Sequence, residues 1–262
     1  MCPHNFFIMK IALIDADSLL YYEMNKPTLE EAIEGINSRI ETILDETGAD
    51  KYAGFLTIGK CFRYNIAKTR PYKYNRKLSS KPPIFYALKE YLQQGPHNFV
   101  CVSRLEADDC VSVYSTIIAE NKEQSYIICS PDKDVLKQVP GKHFNFQKME
   151  WINTSDEDAN KFLWMQTLMG DSTDGIPGIP GLGAKTAEKI INKNDGITSY
   201  EQDVLKIYIE KFGVKDGICK FTETFNLVYM LKSPDEVLKY TGNPLPELVL
   251  YNSNMVKDER ET

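Results

Sequence analysis

Acidic residues fall in four short clusters along the chain: Asp15 with Asp17, Glu106 with Asp108 and Asp109, Asp132 with Asp134, and Asp171 with Asp174. Carboxylates gathered within a few ångströms repel and raise one another's pKa, a cost that bound cations remove. Oxygen donors without Cys or His suit Mg²⁺ or Mn²⁺ better than zinc. Two such ions, roughly 3.5–4 Å apart, orient a water and stabilise both the attacking and leaving oxygens of a phosphoryl displacement. Each cluster alone also has a structural reading. Glu106, Asp108 and Asp109 suit the first turn of a helix, Asp132 and Asp134 suit a turn cap, and Asp17 reads as a helix cap beside Asp15.

Other chemistries are poorly supplied. The histidines, His4, His97 and His143, are scattered, which speaks against His-centred acid–base chemistry. The six cysteines show no CxxC or Cys/His pairing at zinc-site spacing, and Cys101 and Cys129 lie inside apolar runs, so the thiols read as buried and reduced. No apolar run approaches the roughly 18 residues of a membrane span. The first eight residues lack a basic leader and are expected to be an extension ahead of the fold. A cytoplasmic, monomeric protein without membrane contact is expected.

Net charge is −6, but its distribution is uneven. From Lys51 to Lys89 there is no Asp or Glu, against ten Lys and Arg, which leaves about −16 on the remainder. Tyr52, Phe55, Phe62, Tyr64, Tyr72, Tyr74, Phe85 and Tyr86 are interleaved with these cations. Cations for phosphates and rings for bases are what a single-strand-binding segment needs, and a solvated basic loop is the plainer alternative.

The elements that must position these residues follow from apolar periodicity. Residues 10–15, 52–57, 98–103 and 125–130 read as strands. Thr28 and Glu31 form a capping box before Ile33, Ile36, Ile40 and Ile43, and a helix is expected over 106–119. Pro71, Pro82 and Pro83 argue against one long helix through the basic stretch. Alternating strands and helices predict an α/β domain with a mainly parallel sheet, and three of the acid clusters fall after its strands, where such sheets bind ligands. After about residue 155, helices are expected over 156–169, 184–193, 199–212 and 217–231. The expected division is 10–150 for the α/β domain, 151–241 for a helical subdomain, and a mobile tail over 242–262.

Gly175–Ala187, GIPGIPGLGAKTA, fails the P-loop pattern because Ala184 separates Gly183 from Lys185 and no strand precedes it. A helix, glycine turn and helix would present backbone N–H groups and a helix N-terminus to a phosphate, with Lys185 adding charge. A plain helix–helix turn remains the alternative.

EADD at 106–109, DKD at 132–134 and GDSTDGIPGIPGLGAKTA at 170–187 together resemble the 5′ nucleases: phage 5′-to-3′ exonucleases, flap endonucleases and the N-terminal nuclease domain of bacterial DNA polymerase I. The similarity covers roughly residues 10–231 and implies a PIN-like α/β domain followed by a helical subdomain with a helix-three-turn-helix at about 165–193. It implies metal ligation by Asp15, Glu106, Asp108, Asp109, Asp132 and Asp134, with Asp171 and Asp174 completing a second Mg²⁺ site. It implies that Lys73 and Arg76 contact the scissile phosphate, that the basic stretch at about 58–89 forms an arch, and that Arg63, Tyr72, Gly178, Gly181, Gly183, Lys185 and Thr186 bind DNA. A K⁺ ion held by carbonyls of the glycine hairpin belongs to the same resemblance.

The substrates it implies are 5′-flap, nicked or branched DNA, with an RNA–DNA hybrid left open, and the chain resembles the free-standing form common in bacteriophages. Two departures stand out. No acid ends the second strand, where Thr57 or a neighbour stands, and Tyr22 replaces an arginine that often follows the first Asp. A catalytically silent DNA-binding relative and a PIN-type ribonuclease are alternatives. A haloacid-dehalogenase-type phosphatase is another, since Asp15-Ala-Asp17 and Gly170-Asp171 with Asp174 mimic its motifs.

Overall fold

A computed structural model describes residues 8–76, 81–193 and 198–253. It divides into two compact units: Met1–Cys61, Ser80–Thr154 and Leu231–Thr262 form the first, and Phe62–Ser79 with Ser155–Met230 the second. Segment 62–79, expected inside the α/β domain, thus clusters with the helices, and the C-terminal stretch returns to the first unit.

In unit 1, β1 (Met9–Asp15) leads into α1 (Ala16–Glu23) and α2 (Leu29–Thr47), followed by β2 (Lys51–Ile58). The short α3 (Arg63–Ile66) belongs to unit 2, and α4 (Pro83–Gln94) to unit 1. Next come β3 (Val100–Ser103), α5 (Ala107–Ala119), β4 (Gln124–Cys129), α6 (Lys133–Gln138), β5 (Gly141–Asn145) and β6 (Glu150–Thr154). The sheet order is β3-β2-β1-β4-β5-β6, parallel except for the β5–β6 pair. Strand order reverses between β1 and β4, the switch point where an open α/β sheet leaves a crevice beyond its strand ends.

Side chains alternate across the sheet. Ala12 and Ile14 enter a core with Leu19, Leu20, Ile36, Ile40 and Leu88 from α1, α2 and α4. On α5, Tyr114 stacks on Phe55 of β2 with ring centroids 5.2 Å apart. α2 begins at Thr28, whose side chain accepts from the Glu31 N–H at 3.2 Å, and ends at Gly48 in the left-handed region.

The β5–β6 hairpin was not expected from the sequence. Its pattern is weak because the outward positions of β6 are exposed, so the two strands lack strong alternation. Nor was regular structure expected within 242–253. Within 242–262, anticipated as a mobile tail, β9 (Tyr251–Asn252) pairs antiparallel with β2, after α11 (Pro234–Thr241). Tyr251 lies against Tyr52, ring centroids 5.8 Å apart, and Tyr114 Oη donates to the Pro246 carbonyl at 2.6 Å.

Unit 2 is built from α7 (Asp156–Met169), a two-stranded ladder of β7 (Gly170–Asp171) and β8 (Ile176–Pro177), then α8 (Ala184–Ile191), α9 (Tyr200–Phe212) and α10 (Val214–Val228). Trp164, Leu168, Ile179, Ala187, Tyr208 and Phe221 form its core. α10 begins three residues earlier than expected and runs through Gly217. A Cβ there would meet the Tyr208 carbonyl oxygen and Ile209 Cα at 2.7 Å, so this glycine permits the close crossing of α9 and α10. Among the described residues, no helix is long and apolar enough to cross a membrane.

Candidate active site

In unit 1, the ends of the parallel strands carry the acids. Asp15 ends β1 and is nearly buried. Its Oδ2 accepts from Ser18 Oγ at 3.0 Å and from Ser130 Oγ at 2.9 Å. Burial, helped by the charges of Asp17 and Asp132, pushes the Asp15 carboxyl up to about 7. Ser130, which the sequence reading missed, follows β4 and also accepts the Asp132 N–H at 3.0 Å, so its hydroxyl spans the switch point. Asp132 caps α6, accepting the Asp134 N–H at 2.7 Å. The cap reading of Asp132 is met, at the end of the strand.

Glu106 precedes α5 as its N-cap, and with Asp109 it forms a reciprocal capping box. One carboxylate oxygen from each of Glu106, Asp108 and Asp109 lies within 4.8 Å of the other two. Asp109 is fully buried; its Oδ1 accepts the Leu231 N–H at 3.2 Å. Cys61 Sγ donates to Glu106 Oε2 at 3.3 Å.

Asp17 is not a cap. It stands in the first turn of α1, and its Oδ1 accepts the Thr57 N–H at 3.1 Å from the neighbouring strand. Burial raises its pKa, opposed by the hydrogen bonds with Thr57 and the Lys89 charge. Thr57, at the strand end without an acid, accepts the Ala107 N–H on Oγ1 at 2.9 Å and the Lys89 ammonium on its carbonyl oxygen. It links α1, β2, α4 and α5 at the place where a carboxylate is missing. Near the other departure, Arg39 of α2 lies over the Tyr22 ring, 4.9 Å from its centroid, so an arginine stands there from a different element.

In unit 2, Tyr72, Lys73 and Arg76 converge on Asp174. Tyr72 Oη donates to Oδ2 at 3.0 Å, Lys73 Nζ stands 3.6 Å from Oδ2, and Arg76 pairs with Oδ1. The Lys73 N–H donates to the Asp174 carbonyl oxygen at 2.8 Å. Asp171 Oδ1 accepts the Thr173 N–H at 2.7 Å and so shapes the same turn. Within this unit Asp174 acts as the anchor of Lys73 and Arg76.

Two residues expected to contact DNA are buried within unit 2. Arg63 is 2% exposed; its guanidinium donates to the Leu227 and Tyr229 carbonyl oxygens at 3.0 and 2.7 Å, satisfying orphan carbonyls at the end of α10. Tyr72 is 5% exposed, with its ring edge-on to Tyr64 and its hydroxyl committed to Asp174, so it offers no face for stacking. Contacts within unit 2 bury both, which spacing along the chain could not show.

The glycine segment divides. Gly178 has no room for a Cβ, which would meet the Met169 carbonyl carbon at 2.1 Å and Gly170 N at 2.4 Å, so it serves the close packing of the ladder. Gly181, with φ +85°, and Gly183, the N-cap of α8, have open space around them. Lys185 and Thr186 are exposed in the first turn of α8. The thiol expectation holds for Cys61, Cys110 and Cys129, which are buried, but Cys101 is only half-buried and Cys219 is exposed.

An acid-lined, mainly parallel sheet and a helical unit with a glycine turn define a PIN-like α/β protein. No family model matches the chain. It is 34% identical over 160 residues to a 5′-3′ exonuclease of Buchnera aphidicola subsp. Acyrthosiphon pisum (56% of this chain, 54% of the relative). It is 35% identical over 138 residues to the exonuclease of Escherichia phage T7 (52% and 45%). The matched stretch thus spans about half the length of these relatives. Among solved structures, the flap endonuclease of bacteriophage T5 in complex with DNA and metal ions has a TM-score of 0.65 at 18% identity, covering 89% of this chain and 97% of that one. The catalytic core of Rad2 with DNA substrate has a TM-score of 0.51 at 13% identity, covering 98% and 87%. The chain is thus similar in sequence to 5′-3′ exonucleases and in fold to the phage T5 flap endonuclease and the Rad2 core.

Proposed function

We propose that the protein is a divalent-metal-dependent 5′ nuclease that hydrolyses phosphodiester bonds near the 5′ ends of flap, nicked or branched DNA. The observation that carries this reading is the gathering of Glu106, Asp108 and Asp109 oxygens within 4.8 Å at the start of α5, in the unit whose sheet holds Asp15 at its switch point. The donor set is all oxygen, and the Asp15 carboxyl is held near 7 by burial and by like charge, the strain a hard cation relieves. The residues therefore fit Mg²⁺ or Mn²⁺.

Asp15, Glu106, Asp108, Asp109, Asp132 and Asp134 would hold the metal. When bound, it supplies an activated water and charge neutralisation for an in-line displacement at phosphorus. Ser130 fixes the Asp15 carboxylate toward this end of the sheet, and Thr57 braces Asp17 and the start of α5. In unit 2, Lys73 and Arg76 offer cations to a phosphate; Asp174 holds them in place. Gly181, Gly183, Lys185 and Thr186 offer a helix N-terminus and a charge to a duplex backbone, in a turn whose carbonyls could also take K⁺.

The phosphatase reading loses its support, since Asp171 belongs to the β7–β8 ladder and not to the sheet that carries Asp15. The test is cleavage of 5′-flap, nicked and single-stranded DNA in Mg²⁺ and in EDTA, beside an Asp132→Ala, Asp134→Ala double variant. Metal-dependent release by the wild type and its loss in the variant are expected. Equal products from both proteins would end the proposal.

A further inference from the structure

We infer that Glu223 of α10 is a positioning residue for Lys73 and Arg76, acting as a carboxylate clamp on the chain just ahead of them. The clamp makes three short bonds. Oε1 accepts the Lys68 and Thr69 N–H groups at 2.6 and 2.7 Å, and Oε2 accepts Thr69 Oγ1 at 2.6 Å. Two consecutive amides and a hydroxyl on one carboxylate fix the direction of the chain as well as its location, and an ionised acceptor roughly doubles the strength of each bond.

Lys68, Thr69 and Glu223 are exposed or only half-buried, and together with Asn65, Lys220 and Asn226 they line an open cleft of about 770 Å³. On that side, hydrogen bonds to Glu223 brace Lys68 and Thr69. The next fixed points lie downstream, where the Lys73 N–H and the Asn75 amide donate to the Asp174 and Ser172 carbonyl oxygens. Upstream, Arg63 is held by the end of α10. Between Arg63 and Tyr72, the Glu223 clamp ties the basic stretch to α10. Lys73 also sits at φ +56°, a strained conformation for a lysine that persists only if the chain on either side is held. The clamp supplies the upstream hold, so its loss should loosen the Lys73 turn.

The kinetic part of this inference rests on the nuclease reading; the structural part does not. Hydrogen exchange would be followed at individual amides in the full chain for wild type, Glu223→Ala, Glu223→Gln and Thr69→Val. In Glu223→Ala, exchange at Lys68 and Thr69 should quicken about tenfold or more, and exchange at the Lys73 amide should rise with it. Cleavage of 5′-flap DNA at saturating substrate should slow about tenfold, while duplex Kd changes less than about threefold. Glu223→Gln keeps one acceptor oxygen and should recover part of both losses.

Faster exchange at Lys68 and Thr69 with no change at Lys73 would overturn the inference, because the clamp would then be local. Uniformly faster exchange through α9 and α10 would also overturn it, showing a stability effect alone. Should Glu223→Ala fail to fold, Thr69→Val, which removes only the hydroxyl bond, makes the same comparison on a smaller scale. If the wild type cuts no DNA, the nuclease reading fails, and exchange at Lys73 still decides whether the clamp exists.

Discussion

Ser130 Oγ donates to Asp15 Oδ2 at 2.9 Å while accepting the Asp132 N–H at 3.0 Å, so one hydroxyl ties together two acid clusters that lie more than a hundred residues apart. Partners of this kind orient ligands, and removing them typically weakens metal affinity about 10–100-fold. Ser130→Ala should therefore raise the Mg²⁺ concentration needed for half-maximal cleavage by roughly tenfold or more, leaving the fold intact. A metal titration of cleavage checks this, and an unshifted midpoint would make Ser130 a packing residue only.

Asp15 gives a pH signature. Its folded pKa, about 7, lies above the unfolded value of 3.8, so the folded state binds more protons between those limits and the metal-free protein loses stability as pH rises through that window. Above pH 7 the burden is fully present. Asp15→Asn removes it, and in EDTA at pH 8 the variant should be more stable by about 2–4 kcal/mol, an order-of-magnitude figure from the size of the shift. Urea unfolding at pH 5 and pH 8 reads the difference; a variant less stable than wild type at pH 8 would contradict it.

His97 works in the opposite sense. Burial lowers it to about 4, and its ring nitrogens stand 2.9 Å from Tyr52 Oη and from Asn37 Oδ1. The unfolded chain binds a proton that the folded one refuses, so this contribution is complete above the unfolded value near 6.5 and is lost as pH falls toward 4. It is worth up to about 3 kcal/mol. A His97→Gln variant should show a flatter stability profile between pH 4 and 6.5, and an unchanged slope would show that His97 stays neutral for another reason.

Arg63 and Lys185 should separate stability from binding. Removing the buried Arg63 guanidinium leaves the Leu227 and Tyr229 carbonyls without their donor, so Arg63→Ala should cost about 3–5 kcal/mol of stability. Lys185→Ala, at an exposed helix start, should leave stability within about 0.5 kcal/mol and lower the slope of log Kd for duplex DNA against log salt by about one. Fluorescence anisotropy at several salt concentrations, with thermal melts alongside, distinguishes the two. A salt slope altered by Arg63→Ala in a protein that still melts normally would restore Arg63 to the binding surface.

Gly178 tests the ladder. With a Cβ placed 2.1 Å from the Met169 carbonyl carbon, Gly178→Ala must push β7 and β8 apart, and a loss of about 1–3 kcal/mol is expected. Gly183→Ala, with open space around it, should cost well under 1 kcal/mol. Equal losses in the two variants would show that the ladder yields without strain.

The strands that carry the acids, the helix that follows EADD and the helical second half were legible in the chain, because apolar periodicity and caps are local properties. So were the acid clusters themselves, since their types and order survive any arrangement of the surrounding helices. The sequence could not distribute roles within the basic stretch. Arg63, Tyr72, Lys73 and Arg76 look alike along the chain, and only the packing of α3 against α10 buries the first, while the turn at Asp174 claims the rest.

The same limit applies to Asp17, whose partner Thr57 lies 40 positions away, to Ser130, which reads as an ordinary residue after a strand, and to the C-terminal stretch, whose pairing with β2 depends on a sheet edge formed far upstream. What the sequence determined on its own was the chemistry available at the strand ends. Which hydroxyls, amides and cations hold that chemistry in place was decided by contacts between residues distant in the chain, and these exist only once the sheet and helices have closed around them.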